Sequence, residues 1–561
     1  MSSKRQVVVA IDFGTTFSTI AWARQWPTKV AEALGGKTSD KVPTEVAYSY
    51  DGANPRILWG FQIPSDMPRL QWFKLTLGAQ PDSIKALYKS QNKDRLGMRF
   101  PHHTTMQSVT TDYLRAIVDH FKKDLERQVG TATTTMEFTY IVTVPAVWTA
   151  DAKQEFLACA EKAGLSSSAQ IRIMSEPEAA AMHALQVSNS WGLSVEDTIM
   201  ICDAGGSTVD VITFTIKELH PTLKLRECAP GMAGFCGSTF LNRRFENLLR
   251  ERLGCVEGWK EDTLSMALQY FDSVVKCSFG GDENETFMVP VPGIGDNESL
   301  NVQRGQLSLS GKELLDIFRP VLQEIDKLVE EQIHCSDQQV KAVFFVGGFG
   351  QSMYLLDHVR SHISSGVQVL QPVDGWTAVA RGALTKVLSD VSLSAPQVKV
   401  ESRVARKHYG MINSVRFDAR IHDPDLKVWC NFYGDWRIFV MHWFVNKGDD
   451  VSEDTPIIHE WFQQKPTSQG KFEGICLKIH EFDSDGTPPI YLDENTMPVH
   501  AVLHLRFDTI PRRSIPRKLG ADGRYWNQIS FQTHANYYSA HCEYALWFEG
   551  KDHGSVKVDY A

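Results

Sequence analysis

Two stretches decide how this chain is built: VVVAIDFGTTFSTIAWA (Val7–Ala23) and TIMICDAGGSTVDVITFTI (Thr198–Ile216). Each sets an apolar, β-branched run before Asp-x-Gly, then small or hydroxyl residues, then a second β-rich run. Such runs bounded by turn residues predict a hairpin. Asp12 and Asp203 stand 191 positions apart. That spacing suits two related lobes rather than a solenoid, whose periods are about 20–50 residues. The 561 residues leave room for several domains, and 43% hydrophobic with 22% charged residues is ordinary globular usage.

Around the hairpins strands alternate with helices. Glu137–Trp148 reads as a strand ending at Pro145, and Ala150–Gly164 as an amphipathic helix stopped by its glycine. Ile171–Leu185 reads as a short strand, a turn at Glu176-Pro177 and an Ala-rich helix. Gly311–Ile333 is a long helix with Pro320 inside it. Val340–Ile363 is a buried strand, a Gly-rich turn and a helix, and Thr377–Leu388 is a closing helix. The alternation implies α/β architecture with mainly parallel or mixed sheets covered by helices. Near residue 390 the pattern changes. After a linker or edge strand at Val391–Arg403, the runs KVWCNFYG, WRIFVMHWFV, GICLKIHEF, HAVLHLRFDTI and NQISFQTHANYYSAHCEYALWFE predict an all-β domain. The expected divisions are 1–195, 196–390 and 391–561.

Composition excludes several classes. Lys and Arg number 58 against 67 Asp and Glu, a formal charge of −9, which argues against a nucleic-acid or anionic-membrane binder. No run approaches the roughly 18 apolar residues of a membrane span, and MSSKRQVVVAIDFG is too short an apolar stretch for a signal peptide. Ten irregularly spaced cysteines without C-x-x-C predict reduced, mostly buried thiols in an intracellular, cytoplasmic chain, with the nucleus also open. G-x-x-x-x-G-K-[ST], G-x-S-x-G and H-E-x-x-H are all missing, and no Cys-His pairing is legible. His102-His103 reads as a surface loop, His500 and His504 as strand packing, and Pro511–Lys518 as a solvated basic loop. The aromatics Trp429, Phe432, Tyr433, Trp436, Phe439, Trp443 and Phe444 read as core packing, with a hydrophobic partner groove as the alternative.

The hairpin turns carry a chemistry. A triphosphate needs converging backbone N–H groups, a divalent cation and an oriented water. Gly14-Thr15-Thr16 and Gly205-Gly206-Ser207-Thr208 can each form an anion nest. Asp12 and Asp203, at the ends of the preceding strands, can hold Mg²⁺ directly or through its waters. Val346-Gly347-Gly348-Phe349-Gly350 is a third turn, open to nucleotide contact or to close helix packing.

At this point the residues resemble a family. The order IDFGTT, TVPA, SEPEAAA, DAGGSTVDV, VGGFG and AVARGAL is similar to the actin-like ATPase domain of the seventy-kilodalton heat-shock (DnaK-type) chaperones, over about residues 7–388. WFK at Trp72–Lys74 and LWGFQ at Leu58–Gln62 resemble its divergent fungal and animal branch more closely. The resemblance implies two duplicated ribonuclease-H-like lobes, ATP and Mg²⁺ as cofactors, and a protein client or co-chaperone as partner. It implies phosphate contacts at Asp12, Gly14, Thr15, Thr16, Gly205, Gly206 and Ser207. Asp12 and Asp203 become the metal residues, the latter through water. Lys74 becomes the charge-neutralising lysine; the plain alternative is a solvated helix-face lysine. Glu176 would hold metal-bound water, or simply cap the Ala-rich helix. Thr208 would position the lytic water beside Asp210. Gly347, Gly348 and Lys276 match the adenosine-binding positions. Pro145 and Lys153 match a proline switch and its basic partner, or Pro145 merely ends a ladder.

Departures from the family are Ser207 for a glycine, Phe349 and Gln351 where Ser-x-Arg flanks adenine, and the missing leucine linker, helical lid and acidic tail. The expected function is slow Mg-dependent ATP hydrolysis coupled to a β-rich partner-binding domain. Its rivals are a nucleotide switch without turnover and a small-molecule kinase of the same fold.

Overall fold

The computed structural model describes residues 6–23, 29–30, 39–50, 55–64, 67–78, 104–146, 148–166, 171–186, 192–391, 397–469, 472, 474–506, 515–538 and 540–559. His102-His103 and the first four residues of the basic run at 511–518 lie outside them. The chain divides into two units, Met1–Lys399 and Val400–Ala561.

The first unit contains the twin hairpins. β1 (Gln6–Phe13) and β2 (Phe17–Ala23) pair antiparallel with Asp12 opposite Thr19. β3 (Lys29–Val30) pairs with β2, while β4 (Glu137–Val144) and β5 (Arg172–Ser175) continue parallel from β1. The order is β3-β2-β1-β4-β5. The second set repeats it. β6 (Thr198–Ala204) and β7 (Val209–Glu218) pair antiparallel with Asp203 opposite Asp210. β8 (Thr222–Gly234) pairs with β7, and β9 (Val340–Val346) and β10 (Gln368–Leu370) run parallel from β6. Order and sense match, so the duplication read from the sequence is present as topology. β1 and β6 are buried almost end to end, as expected of strands covered on both faces.

The helices follow from local signals. α1 (Met106–Val129) opens with a reciprocal Thr105/Ser108 capping box. α2 (Ala150–Lys162) ends before Gly164, whose φ of +87° suits glycine. α3 (Glu176–Gln186) is buried along nearly its whole length. α4 (Thr239–Leu253) precedes α5 (Glu261–Tyr270), which runs on through a π-helical segment, Phe271–Val275, to a last turn at Lys276–Ser278. α6 (Gly311–Cys335) has a Ser310/Glu313 capping box and continues through Pro320. An interior proline costs about 3 kcal/mol, offset here by the buried stripe Leu314, Phe318, Val321, Leu322, Ile325 and Val329. α7 (Met353–His362) and α8 (Ala378–Val391) complete the unit. α3 and α8 cross closely, because a Cβ on Gly382 would lie 1.7 Å from the Ala179 carbonyl oxygen.

The second unit is a β-sandwich. One sheet orders β12 (Val428–Cys430), β13 (Asp435–Val445), β11 (His408–Arg416), β15 (Gly474–Phe482) and β16 (Val499–Arg506). The other orders β14 (Ile457–Pro466), β17 (Tyr525–Tyr537), β18 (His541–Phe548) and β19 (Lys551–Asp559). Their shared core includes Tyr409, Met411, Ile479, Leu503, Ile529 and Tyr544. The chain is thus an α/β fold with duplicated sheets, followed by a β-rich unit.

Two expectations need correction here. Of the seven aromatics expected in the core, Trp429, Tyr433, Trp436 and Phe439 are exposed, Phe439 by 59%. They lie on or between β12, an edge strand, and β13, where the sheet ends and cover runs out. Second, a Cys-His contact exists: His500 Nε2 sits 3.0 Å from Cys542 Sγ, while its Nδ1 meets Glu481 Oε2 at 2.9 Å. His500 also packs on Tyr409 and Tyr544, in keeping with the packing expected of it. All ten cysteines are free thiols, but only five are fully buried. Among the described residues no helix is long and apolar enough to cross a membrane.

Phe271 stacks on Phe245 at 4.3 Å between ring centroids, inside the core below β6 to β9. Phe271→Ala should cost about 3–5 kcal/mol. A thermal midpoint unchanged from wild type would contradict this packing.

Candidate functional site

The twin turns meet. Thr15 Oγ1 and Ser207 Oγ share a buried hydrogen bond of 2.7 Å across 192 residues of sequence. A Cβ on Gly206 would lie 2.3 Å from Thr16 Oγ1, so the two loops touch where only glycine fits. The second turn is braced from below. Its Gly205 N–H donates to the Thr208 carbonyl at 2.9 Å, and Ser238 and Thr239 at the start of α4 donate to the carbonyls of Gly205 and Gly206.

Behind the loops lie buried charges. Asp12 accepts from Lys41 Nζ at 3.2 Å, and Glu176, the first residue of α3, accepts from Lys74 Nζ at 2.8 Å. All four side chains are at most one-tenth exposed. Lys74 lies in a 3₁₀ turn, Phe73–Thr76, entered through Trp72 at φ 60°. That left-handed backbone is costly for a bulky residue, and it directs Lys74 inward between the rings of Phe13 and Trp148. The solvated alternative for Lys74 is therefore excluded. Glu176, whose plain alternative is a cap of the Ala-rich helix, is ion-paired with Lys74.

Asp203 and Asp210 face each other across β6 and β7 and are likewise buried. Asp210 Oδ1 accepts from the Ala146 N–H, one residue past Pro145, at 3.3 Å, and Asp210 also bonds the Thr208 side chain. Burial raises the Asp203 carboxyl well above its ordinary range, and Glu176, Asp210 and Asp12 push the same way. Burial likewise raises Glu176 to about 7, against the pull of Lys74. Asp210 is raised to about 6 by burial, opposed by its Thr208 bond and by Lys74. Four carboxylates thus converge from both sheets with two lysines among them.

The third turn sits against this cluster. Gly347 has φ +81°, and a Cβ there would lie 2.4 Å from Asp203 Oδ1. Its N–H donates to the Gly375 carbonyl at 3.0 Å. Gly348 lies against Trp376, whose ring neighbours Phe17 at 5.7 Å and Lys41 Nζ at 5.5 Å. Phe349 is buried in the core of the second lobe. Gln351 leaves its side-chain amide nitrogen buried without a partner. Lys276 is tied to Asp272 and to Asn242 Oδ1 at 3.2 Å, and none of these contacts joins it to the two loops. Lys153 is buried on α2. Sequence reasoning missed Lys41 and Trp376. Lys41 is brought there by its neighbours: the Thr44 N–H donates to the Thr16 carbonyl at 2.8 Å, and the Val42–Pro43 strand pairs with β2.

Comparison with known proteins bears on the family and the fold of the first unit. A family model described as Hsp70 protein matches residues 82–393, over half of the chain. This chain belongs to the Hsp70 family. Heat shock 70 kDa protein 12A of Mus musculus is 22% identical to it, over 86% of this chain and 83% of its own length. Heat shock 70 kDa protein 12B of Homo sapiens is 23% identical, over 76% and 74%. Chaperone protein DnaK of Thermotoga petrophila is 28% identical over 39% of this chain and 32% of its own. Hsp70-family members in general bind ATP or ADP. Asp12 and Lys74 precede the matched residues of the family model, so their place in the site rests on geometry.

Two measurements probe this cluster. Gly206→Ala should push the loops apart and lower stability by about 1–3 kcal/mol, and adding Thr16→Ala should recover much of the loss. Equal midpoints for wild type and Gly206→Ala would contradict the contact. Glu176 keeps its proton in the fold up to about 7 but loses it near 4.5 when unfolded. Its stabilisation is therefore full below about 4.5 and is lost as pH rises through 7. Glu176→Gln should gain in thermal midpoint on wild type between pH 5 and 8, and a difference independent of pH would be contrary to this.

Proposed function

We propose that the first unit binds Mg-ATP between the touching loops and hydrolyses it slowly, and that the nucleotide state governs partner binding by the β-rich unit. The observation that carries this reading is the convergence of Asp12, Glu176, Asp203 and Asp210 behind two glycine-bearing loops. Four buried carboxylates repel one another, and two lysines do not balance them. That donor set suits a hard divalent cation, which prefers oxygen ligands and retains several waters. Asp12 and Asp203 would hold Mg²⁺ through its waters, and the ion would supply charge neutralisation at the phosphate oxygens.

The residues of the chain do the rest. Backbone N–H groups at Gly14, Thr15, Thr16, Gly206 and Ser207 bind phosphate oxygens once the Thr15–Ser207 bond opens to admit them. The Gly205 N–H is already used within its own turn, so Gly205 serves by allowing the turn. Lys74 neutralises charge developing at the terminal phosphate. Thr208, fixed by Asp210, orients the attacking water. Glu176 near pH 7 can accept its proton, since a base works best with a pKa near the working pH. Gly347 and Gly348, covered by Trp376, bind the adenosine side, where the unpaired Gln351 amide offers a donor. Lys276 would join them there only by leaving Asp272. In the β-rich unit, the exposed Trp429, Trp436 and Phe439 present an apolar patch suited to a protein client or co-chaperone.

Single-turnover hydrolysis of ATP by wild type, Asp203→Ala and Lys74→Ala tests the assignment, with titration calorimetry of ATP with and without Mg²⁺. Each substitution should slow turnover by about 10²–10³, and ATP should bind more tightly with Mg²⁺. Turnover equal in all three proteins would overturn the ATPase reading. Tight Mg-dependent binding without turnover would instead identify a nucleotide switch.

A further inference from the structure

A second cluster of ligating side chains lies on α6 and α7 and shares no residue with the loops described above. His358 and His362 stand four apart on α7, so both rings leave the same helix face. Asp326 reaches them from α6, with Oδ2 at 2.6 Å from His358 Nε2. The two rings stack at 4.0 Å between centroids. One ligand atom from each of the three residues falls within 4.8 Å of the others.

The bonds around the rings prepare them for a metal. His362 Nδ1 lies 2.8 Å from the His358 carbonyl oxygen. His362 Nδ1 also lies 3.0 Å from Ser361 Oγ, whose hydroxyl donates to that same carbonyl at 2.6 Å; both oxygens are then served by a proton on Nδ1, which leaves Nε2 with its lone pair. A carbonyl that accepts from the other ring nitrogen and so fixes the tautomer is the usual support of a metal-bound histidine. His358 is held by Asp326, and a cation between them would replace that hydrogen bond with two ligand bonds. Bonds of about 2.0–2.2 Å hold ligand atoms about 3.3–3.6 Å apart, within reach of small side-chain rotations here.

The surroundings suit a cation with an open position. The cluster borders a cavity of about 380 Å³ lined also by Leu315, Arg319, Gln323 and Tyr354. Tyr354 packs on Phe279 and Phe318, which gives one wall an apolar backing. Arg319, which also lines the cavity, pairs with Asp316 at 3.0 Å.

We infer that Asp326, His358 and His362 form a zinc-class site that ties α6 to α7 and leaves a fourth position facing the cavity. Two imidazoles and one carboxylate select a first-row transition ion such as Zn²⁺ over Mg²⁺ or Ca²⁺, which prefer oxygen donors. This site goes beyond the nucleotide reading and stands whether or not ATP binds.

The test uses the full chain, treated with chelator and dialysed, with Zn²⁺ by titration calorimetry and Co²⁺ by visible absorption. Wild type should bind one more equivalent at micromolar concentration than His362→Ala, and the cobalt form should show d–d bands of low coordination number. His362→Ala and the isosteric Asp326→Asn should each weaken that equivalent at least ~10-fold. Zn²⁺ should raise the thermal midpoint of wild type and not of the variants. His362 is exposed at the end of α7, and a metal-free midpoint equal to wild type would show that His362→Ala folds. Equal zinc stoichiometry and affinity in wild type and both variants would overturn the site, as would binding only at millimolar zinc.

Discussion

The crowding of Asp12, Glu176, Asp203 and Asp210 between two sheets is the constraint on which the rest of the first unit depends. Burying one carboxylate is unfavourable, and burying four together is tolerated only with fixed partners. Each partner here comes from a separate element: Lys41 from the segment behind β2, Lys74 from a strained turn, the Ala146 N–H from the end of β4. Removing any one would leave a charge without its neighbour. The duplicated sheets, the close α3–α8 crossing and the glycine contacts at Gly206, Gly347 and Gly382 serve to hold these groups within reach of one another.

The same arrangement accounts for the strain in the unit. Trp72 adopts a left-handed backbone, and the Arg243 guanidinium lies 5.2 Å above its ring. A bulky residue persists there because its surroundings over-determine it. The result is a lysine delivered into a nearly dry site, where a charge acts more strongly than at a surface.

Much of this was legible in the sequence. β-branched runs around Asp-x-Gly identified both hairpins, because the pleat and the turn impose local rules on residue type. The helix from Ala150 followed from amphipathic spacing and its glycine stop, and those in Gly311–Ile333 and Thr377–Leu388 were also read as helices, whereas Glu176-Pro177, read as a turn, forms the first turn of α3. Lys41 and Trp376 were not legible, since each reaches the cleft from a segment with no pattern of its own. Phe349 looked like a departure at the adenosine positions, yet it faces the core, a matter of helix phase that no neighbour in sequence reveals. The aromatics of β12 and β13 followed a core-like pattern, but only strand order shows that β12 has an open edge. Asp326 and His358 are 32 residues apart on different helices, so only packing joins them.

One register position separates the two hairpins. Asp12 faces Thr19, whose hydroxyl is buried without a partner, whereas Asp203 faces Asp210. The halves share a backbone but not a charge. An elongated anion lying across the gap meets a single acid with its lysine on one hairpin and a facing pair of acids on the other, so its two ends are electrostatically unlike. Divergence at a single cross-strand position turns a twofold framework into a polar one, and a ligand entering it is given a direction.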